Sequence, residues 1–202
     1  MKKILVIGAT GTIGQAICHE LSRDCHVIKV GRTSGDSAVE IESSESIIAL
    51  YKKYSDIDAV ICAAARDVIF KPLIDMTKDM YITSMQSKQL GQIDLIIQGL
   101  KLLPNHVSFT LTTGLLNCDP IVTGSAAAMV NGAVEGFVRA SAIDMPEKQR
   151  INAVSPNLLL ESLEKYRDFF PGYVPIPAAT VALAYRKCVM GNQTGQILKV
   201  GW

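Results

Sequence analysis

Gly8, Gly11 and Gly14 punctuate the run Gly8-Ala9-Thr10-Gly11-Thr12-Ile13-Gly14 near the start of the chain. The residues before them, Ile4 to Ile7, read as a buried parallel strand. Those after them, Ile13 to Arg23, read as a helix, with Ile13, Ala16, Ile17, Glu20 and Leu21 at helical spacing. In that context the glycines are suited to bind an anion. Gly8 permits a tight turn, Gly11 lets backbone approach a pyrophosphate, and Gly14 lets the helix pack close to the sheet. The helix N-terminus adds free N–H groups and a partial positive charge, so Thr10, Thr12 and Ile13 complete the expected cradle. A glycine-rich turn that binds nothing is the bland alternative; the position at the first strand-to-helix turn favours a dinucleotide.

The residue that reads the cofactor's ribose belongs at the end of the second strand, here Val27 to Val30. The sequence there is Val30-Gly31-Arg32-Thr33-Ser34, with no acid, and Arg32 lies 21 residues after Gly11. A guanidinium fork suits the oxygens of a 2′-phosphate, and Thr33 and Ser34 add hydroxyl donors. Asp36 sits too late to serve as an acid for the ribose hydroxyls. The pattern favours NADP(H) over NAD(H); an exposed Arg in a turn is the alternative.

The elements that must hold these residues follow from periodicity. Only seven residues, 32–38, separate the second strand from a brief third at Val39 to Ile41, too few for a helical crossover. A helix from Ser44 to Tyr54, capped by Ser43 or Ser44, leads to a strand at Ala59 to Ala63. A long helix runs from Thr77 to Leu102 and stops near Pro104, before a strand at Val107 to Thr112. Then come a helix at Ser125 to Ile143, a strand at Ile151 to Val154, a loop from Pro156 to Pro177, a helix at Ala178 to Met190 and a strand at Gln196 to Val200. The alternation predicts an α/β Rossmann fold: one doubly wound parallel sheet of about seven strands, in a single domain over residues 1–202.

Composition narrows the function classes. The 202 residues are 49% hydrophobic and 19% charged, with net charge +1, which gives no electrostatic footprint for nucleic acid or an anionic membrane. No apolar stretch approaches a membrane span, and the apolar run before Gly8 is too short for a signal peptide. Five cysteines, without metal or CxxC spacing, fit a reduced cytoplasmic protein. The three histidines are scattered over separate elements, so no zinc site or Ser-His-Asp arrangement is expected.

From end to end the chain resembles the short-chain dehydrogenases/reductases. Gly8 to Gly14 is similar to that family's glycine loop, in the GxxGxxG spacing that occurs there beside the commoner GxGxxG. Ile57 to Ala65 resembles the fourth strand and its Asn-Asn-Ala-Gly turn, here Cys62-Ala63-Ala64-Ala65. Glu135-Gly136-Phe137-Val138-Arg139-Ala140 resembles the body of the sixth helix. Arg150 to Pro156 resembles strand six and its Pro-Gly turn, with Asn157 for the Gly, and Thr194 to Val200 resembles the closing strand. The resemblance implies cofactor contacts at Ala63, Ala64, Pro156 and Asn157, and an adenine pocket lined by Glu40 and Ile41. It also implies a homo-oligomer through helices 77–102 and 125–143; small residues packed only on the sheet give the same sequence.

At the reaction centre the chain departs from the family, which uses a Tyr-x-x-x-Lys pair, a Ser ending strand five and an Asn in the long helix. A Tyr whose pKa is lowered by a Lys donates the proton that hydride transfer to a carbonyl requires. Alignment through Glu135-Gly136-Phe137 puts Ala127 at the Tyr position and Asn131 at the Lys position. No register shift helps. Tyr51, Tyr54, Tyr81, Tyr166, Tyr173 and Tyr185 are followed four residues on by Ser55, Asp58, Met85, Phe170, Pro177 and Val189. The Ser position falls at Thr113, beside Thr112; these are either orienting hydroxyls or ordinary strand ends. The Asn position, three residues before Gly91, falls at Lys88. Its amine can donate a proton or stabilise an oxyanion if burial lowers its pKa, or it is an exposed helical Lys with a packed stem. Asn131 can meet a nicotinamide ribose hydroxyl. Ser125 is either a hydroxyl near the nicotinamide or a helix cap.

Residues 157–177 lie past strand six, where substrate binds in such folds. They carry Tyr166, Phe169, Phe170 and Tyr173, four of twelve aromatics, as a substrate lid or a core cover. Three readings stay open: an NADPH-dependent oxidoreductase acting on a small carbonyl-like substrate, a non-catalytic NADP(H)-binding sensor or partner-binding protein, and an isomerase or lyase that keeps its nucleotide.

Overall fold

Seven parallel strands form one sheet in the order β3-β2-β1-β4-β5-β6-β7. They are β1 (Lys3–Ile7), β2 (His26–Gly31), β3 (Ser37–Ala38), β4 (Ala59–Cys62), β5 (Ser108–Thr112), β6 (Arg150–Pro156) and β7 (Ile197–Val200). The computed structural model describes residues 1–64, 68–146 and 148–202, so Ala65 of the resembled turn lies outside the described residues. Alternate residues of each strand feed two cores. Leu5 and Ile7 of β1 join one, under α2 (Ser44–Lys53), α4 (Gly91–Leu102) and α5 (Ser125–Asp144). Ile4 and Val6 join the other, under α1 (Thr12–Leu21) and α7 (Ala178–Met190). The strand order reverses between β1 and β4, and a crevice opens there at the C-terminal edge, the place where such sheets bind ligands.

The expected doubly wound sheet is the one observed, with three local differences. The third strand is Ser37–Ala38 rather than Val39 to Ile41. Gly35 takes a left-handed φ of +106°, and Asp36 bonds Lys29 through both its N–H and its carboxylate, each at 2.8 Å. The chain therefore turns into pairing two residues early, and Val39 and Ile41 drop into the core. The connection carries no helix, as its length requires.

The long helix is also divided. Thr77 caps α3 (Lys78–Ser84), accepting from the Met80 N–H at 3.4 Å. A π-helical segment, Met85–Leu90, then separates α3 from α4. Such segments carry wider backbone hydrogen bonding and recur at functional sites. Lastly, the segment after β6 is not plain loop: short helical turns span Leu160–Ser162, α6 (Leu163–Tyr166) and Arg167–Phe169. An isolated parallel bridge between Leu159 and Ile176 closes the segment at its base.

Candidate functional site

The glycine turn is shaped by contacts that no side chain would allow. A Cβ at Gly14 would stand 2.0 Å from the Gly8 carbonyl oxygen, so the start of α1 lies directly on the turn. Gly8 has φ +83°, and a Cβ there would press on the backbone of Ala63 and Ala64 at the end of β4. Gly11 differs. Its Cβ would meet only the Gly8 oxygen, at 3.5 Å, so its outer side is open. Gly11 is the N-cap of α1, and no side chain bonds the helix start. Thr10, Gly11 and Thr12 are exposed, with Ile13 half-buried. This is a cradle for an anion that approaches backbone N–H groups at a helix N-terminus, and it fits a pyrophosphate.

Beside the cradle lies a cavity of about 210 Å³. Eight residues expected from the sequence meet in its walls: Gly8, Thr10, Gly11, Arg32, Glu40, Ile41, Ala63 and Ala64. Gly31, Val39, Glu42 and Ser87 also line it. Arg32 Nε pairs with Glu40 Oε2 at 2.6 Å, and both side chains stay partly exposed at the rim. Thr33 and Ser34 lie exposed in the turn after β2 and do not line the cavity.

A second group of polar side chains gathers just past the C-terminal end of β5. Lys88 projects from the π-helical segment and is buried. Its Nζ donates to Asn131 Oδ1 at 2.7 Å and to the Thr113 carbonyl at 3.3 Å. Asn131 Nδ2 in turn donates to the Gly114 carbonyl at 3.1 Å. No carboxylate pairs with Lys88 among the described residues, and burial lowers its pKa from 10.5 to about 8. The nearby Cys62 thiol, pushed up to about 12 by burial, stays neutral and offers no counter-charge. The amide and the amine expected at Lys88 and Asn131 have thus exchanged helices, yet they meet each other across α5 and the π segment.

Other expected residues are placed differently. The Thr113 hydroxyl turns inward, 3.4 Å from Glu135 Oε1 and 3.5 Å from the Val154 carbonyl, so it is Thr113's carbonyl that faces Lys88. Glu135 is buried and also accepts from Arg139 Nη2 at 3.1 Å. The Ser125 hydroxyl does not cap α5; it bonds Tyr81 OH at 2.9 Å. Pro156 ends β6, buried. The Asn157 amide donates to the carbonyls of Val174 and Gly201, at 3.1 and 2.7 Å, tying the lid segment to the C-terminal tail.

Three features were missed from sequence. Gln92 clamps the end of β5 from α4, donating to the Thr112 carbonyl at 3.0 Å and accepting from its N–H at 2.8 Å. It replaces a strand neighbour there, and nothing in its local sequence marks that role. Tyr81, seven residues before Lys88, reaches α5 across the same seam. Its helical offset from Lys88 was the available signal. Finally, Ala127, at the position of the family's Tyr, is buried with Leu115 and Leu116. Val68, Ile121, Phe170, Tyr173 and Trp202 pack around them. The chain's one Trp was the signal, since a lone large ring needs a partner for its N–H; it donates to the Ser155 carbonyl at 2.9 Å.

Comparisons with known proteins agree with this architecture. Residues 4–90 match the model of the NAD dependent epimerase/dehydratase family. No curated protein sequence matches the chain. Among solved structures, the protein lin1944 from Listeria innocua is 45% identical, with TM-score 0.96, over 99% of this chain and 100% of that one. A small-chain dehydrogenase in complex with NADPH is 21% identical, with TM-score 0.85, over 98% of this chain and 96% of that one. An actinorhodin polyketide ketoreductase variant with NADPH is 16% identical, with TM-score 0.85, over 98% and 95%. The last two share the fold. The chain belongs to the family of the Listeria protein and shares its fold with short-chain dehydrogenases/reductases, while its own sequence carries no Tyr-x-x-x-Lys pair.

Proposed function

We propose that this chain is an NADP(H)-dependent oxidoreductase that reduces a small carbonyl compound, with Lys88 as its proton donor. The buried amine of Lys88, held by Asn131 and the Thr113 carbonyl and lacking a carboxylate partner among the described residues, carries this reading. A purely structural Lys gains more by leaving its charge in water. The NADPH bound by two solved structures of this fold, the open backbone of Gly11 and the rim position of Arg32 support the cofactor.

NADPH, when bound, supplies the hydride. The chain's residues do the rest. Gly8 to Gly14 hold the pyrophosphate, and Arg32 offers its Nη groups to the 2′-phosphate while Nε keeps Glu40. Glu40, Ile41, Ala63 and Ala64 would line the adenosine end, and Pro156 and Asn157, at the C-terminal end of β6, would stand toward the nicotinamide. Lys88, charged below a pH of about 8, places a proton donor at the carbonyl oxygen and becomes a neutral amine as the alcohol forms. Asn131 fixes the amine's direction. Ser125 and Tyr81 keep α5 and α3 in register at the mouth. Thr113 contributes its carbonyl as an anchor for Lys88.

The test is consumption of NADPH by the purified protein with a panel of aldehydes, ketones and quinones. Turnover that collapses in Lys88→Met is the expected result. Tight NADPH binding without turnover on any carbonyl favours the sensor reading instead.

We also propose a homo-oligomer through the helical stretch 77–102 and α5. Leu90, Ile97 and Leu100 leave one stripe 45%, 41% and 37% exposed, and Met129 of α5 is 37% exposed. Light scattering after gel filtration should give at least a dimer, with Ile97→Glu shifting it to monomer.

A further inference from the structure

Beyond the turn after β5, a cavity of about 500 Å³ opens under the segment between β6 and α7. Its volume is that of a small-molecule site. Four of its lining residues are aromatic: Phe70, Tyr166, Phe169 and Phe170. With Tyr173 and Trp202 of the adjoining cluster, six of the chain's twelve aromatics gather in this region. Phe170 and Tyr173 meet edge to face, with ring centroids 5.1 Å apart. Phe70, Phe169 and Tyr166 remain 49%, 47% and 39% exposed, apolar rings at the rim of a cavity and available to a ligand. Leu116 belongs to both the cavity wall and the cluster around Ala127, so the space ends beside the turn that anchors Lys88.

The lining selects among ligand classes. A sugar or sugar nucleotide brings many hydroxyls that lose water on entry, and among the described lining residues only Thr123, Ser162, Lys165 and the Tyr166 hydroxyl offer polar side-chain groups. An aliphatic chain gains from burial alone. A flat conjugated ring gains burial together with stacked and edge-to-face contacts. Ala127 in place of a Tyr also removes one ring's bulk beside Leu115 and Leu116. Thr123, a β-branched residue at φ +66°, holds a strained conformation in the cavity wall, as residues at binding sites often do.

We infer that this cavity binds a flat, conjugated carbonyl compound, an aryl ketone or a quinone, with its ring among Phe70, Phe169 and Phe170 and its carbonyl toward the Gly114–Leu116 turn. The direction of the carbonyl rests on the proposed reductase activity. One hydride from NADPH and one proton from Lys88 convert a ketone to its alcohol, or a quinone to its hydroquinone.

The experiment is calorimetric titration of the protein saturated with NADP+, which cannot reduce the ligand. The probes are 2-acetylnaphthalene, decan-2-one and UDP-glucose. The aryl ketone should bind at least tenfold more tightly than decan-2-one, and UDP-glucose should give no heat. Phe169→Ala and Phe70→Ala, at exposed positions that leave the fold intact, should each weaken the aryl ketone about three- to tenfold and decan-2-one less than twofold. Leu116→Trp should fill the cavity and abolish binding. Equal affinity for the two ketones, binding of UDP-glucose, or no response to either Phe variant would overturn the inference. Reduction of aliphatic carbonyls alone would overturn it while leaving the reductase reading intact. Tight aryl ketone binding without turnover would support the cavity and contradict the reductase.

Discussion

The glycine cradle and the Lys88 centre are built from different materials. At the adenosine end, backbone does the work: Gly8, Gly11 and Gly14 shape the cradle by what they lack, and a Cβ at Gly14 has nowhere to go. The proposed reaction centre is made of side chains instead, Lys88, Asn131 and the hydroxyl-bearing residues around them. Backbone geometry fixes residue identity at a position. Side-chain chemistry needs only the right group at a point in space, and either of two facing helices can deliver it. The amine that the family places on the helix here called α5 comes in this chain from the π segment, while α5 supplies the amide.

That contrast can be attacked from its firmest point downward. Lys88→Met should lower the rate of carbonyl reduction about 10²–10⁴-fold, the span of general acid catalysis, while the NADPH dissociation constant changes less than threefold. Stopped-flow turnover and fluorescence titration separate the two. Gly14→Ala should do the reverse in kind: it must displace α1 from the turn, with cofactor affinity falling about 10–100-fold. Arg32→Ala should weaken NADPH about tenfold or more and NADH less than threefold; equal losses would remove Arg32 as the phosphate reader.

The exchanged pair gives a sharper test. Lys88→Asn and Asn131→Lys singly should each impair turnover. The double variant, which restores the family's order, should recover part of the loss, so the two effects are far from additive. Additive losses would mean that the 2.7 Å contact is incidental.

The smallest effect is on stability, and its sign is opposite to that on rate. Lys88 has a lower pKa in the fold, about 8, than its ordinary 10.5, so the folded state binds that proton less well than the unfolded chain. The buried ammonium therefore costs stability in full below pH 8, and the cost fades as pH rises from about 8 to 10.5. The gap corresponds to about 3 kcal/mol, and loss of the Asn131 contact offsets about 1. Lys88→Met should thus stabilise the protein by about 2 kcal/mol at pH 7, and the advantage should vanish by pH 10.5; urea melts at both pH values measure it.

The contrast also explains what the sequence made legible. The sheet, the glycine turn and eight walls of the adenosine cavity follow from period, glycine spacing and chain order. Lys88 and Asn131 are found singly by alignment, yet their contact is a fact of two helices packing. The π segment was hidden because one widened turn hardly disturbs a helical pattern across the 26 residues from Thr77 to Leu102. The inward turn of Thr113 was hidden because Glu135, a buried acid on α5, has no local signature. Trp202 packs against residues more than 70 positions earlier, a contact no short window holds.

The most direct test of Lys88 as proton donor is the pH dependence of single-turnover reduction with NADPH saturating. The amine must be charged to donate, so the rate should be level below a pH of about 8 and fall tenfold per unit above it. Oxidation of the alcohol with NADP+ should rise through the same pH, and both inflections should be absent in Lys88→Met. A Lys88→Met protein that reduces carbonyls at the parent rate, with the same inflection, would contradict the account.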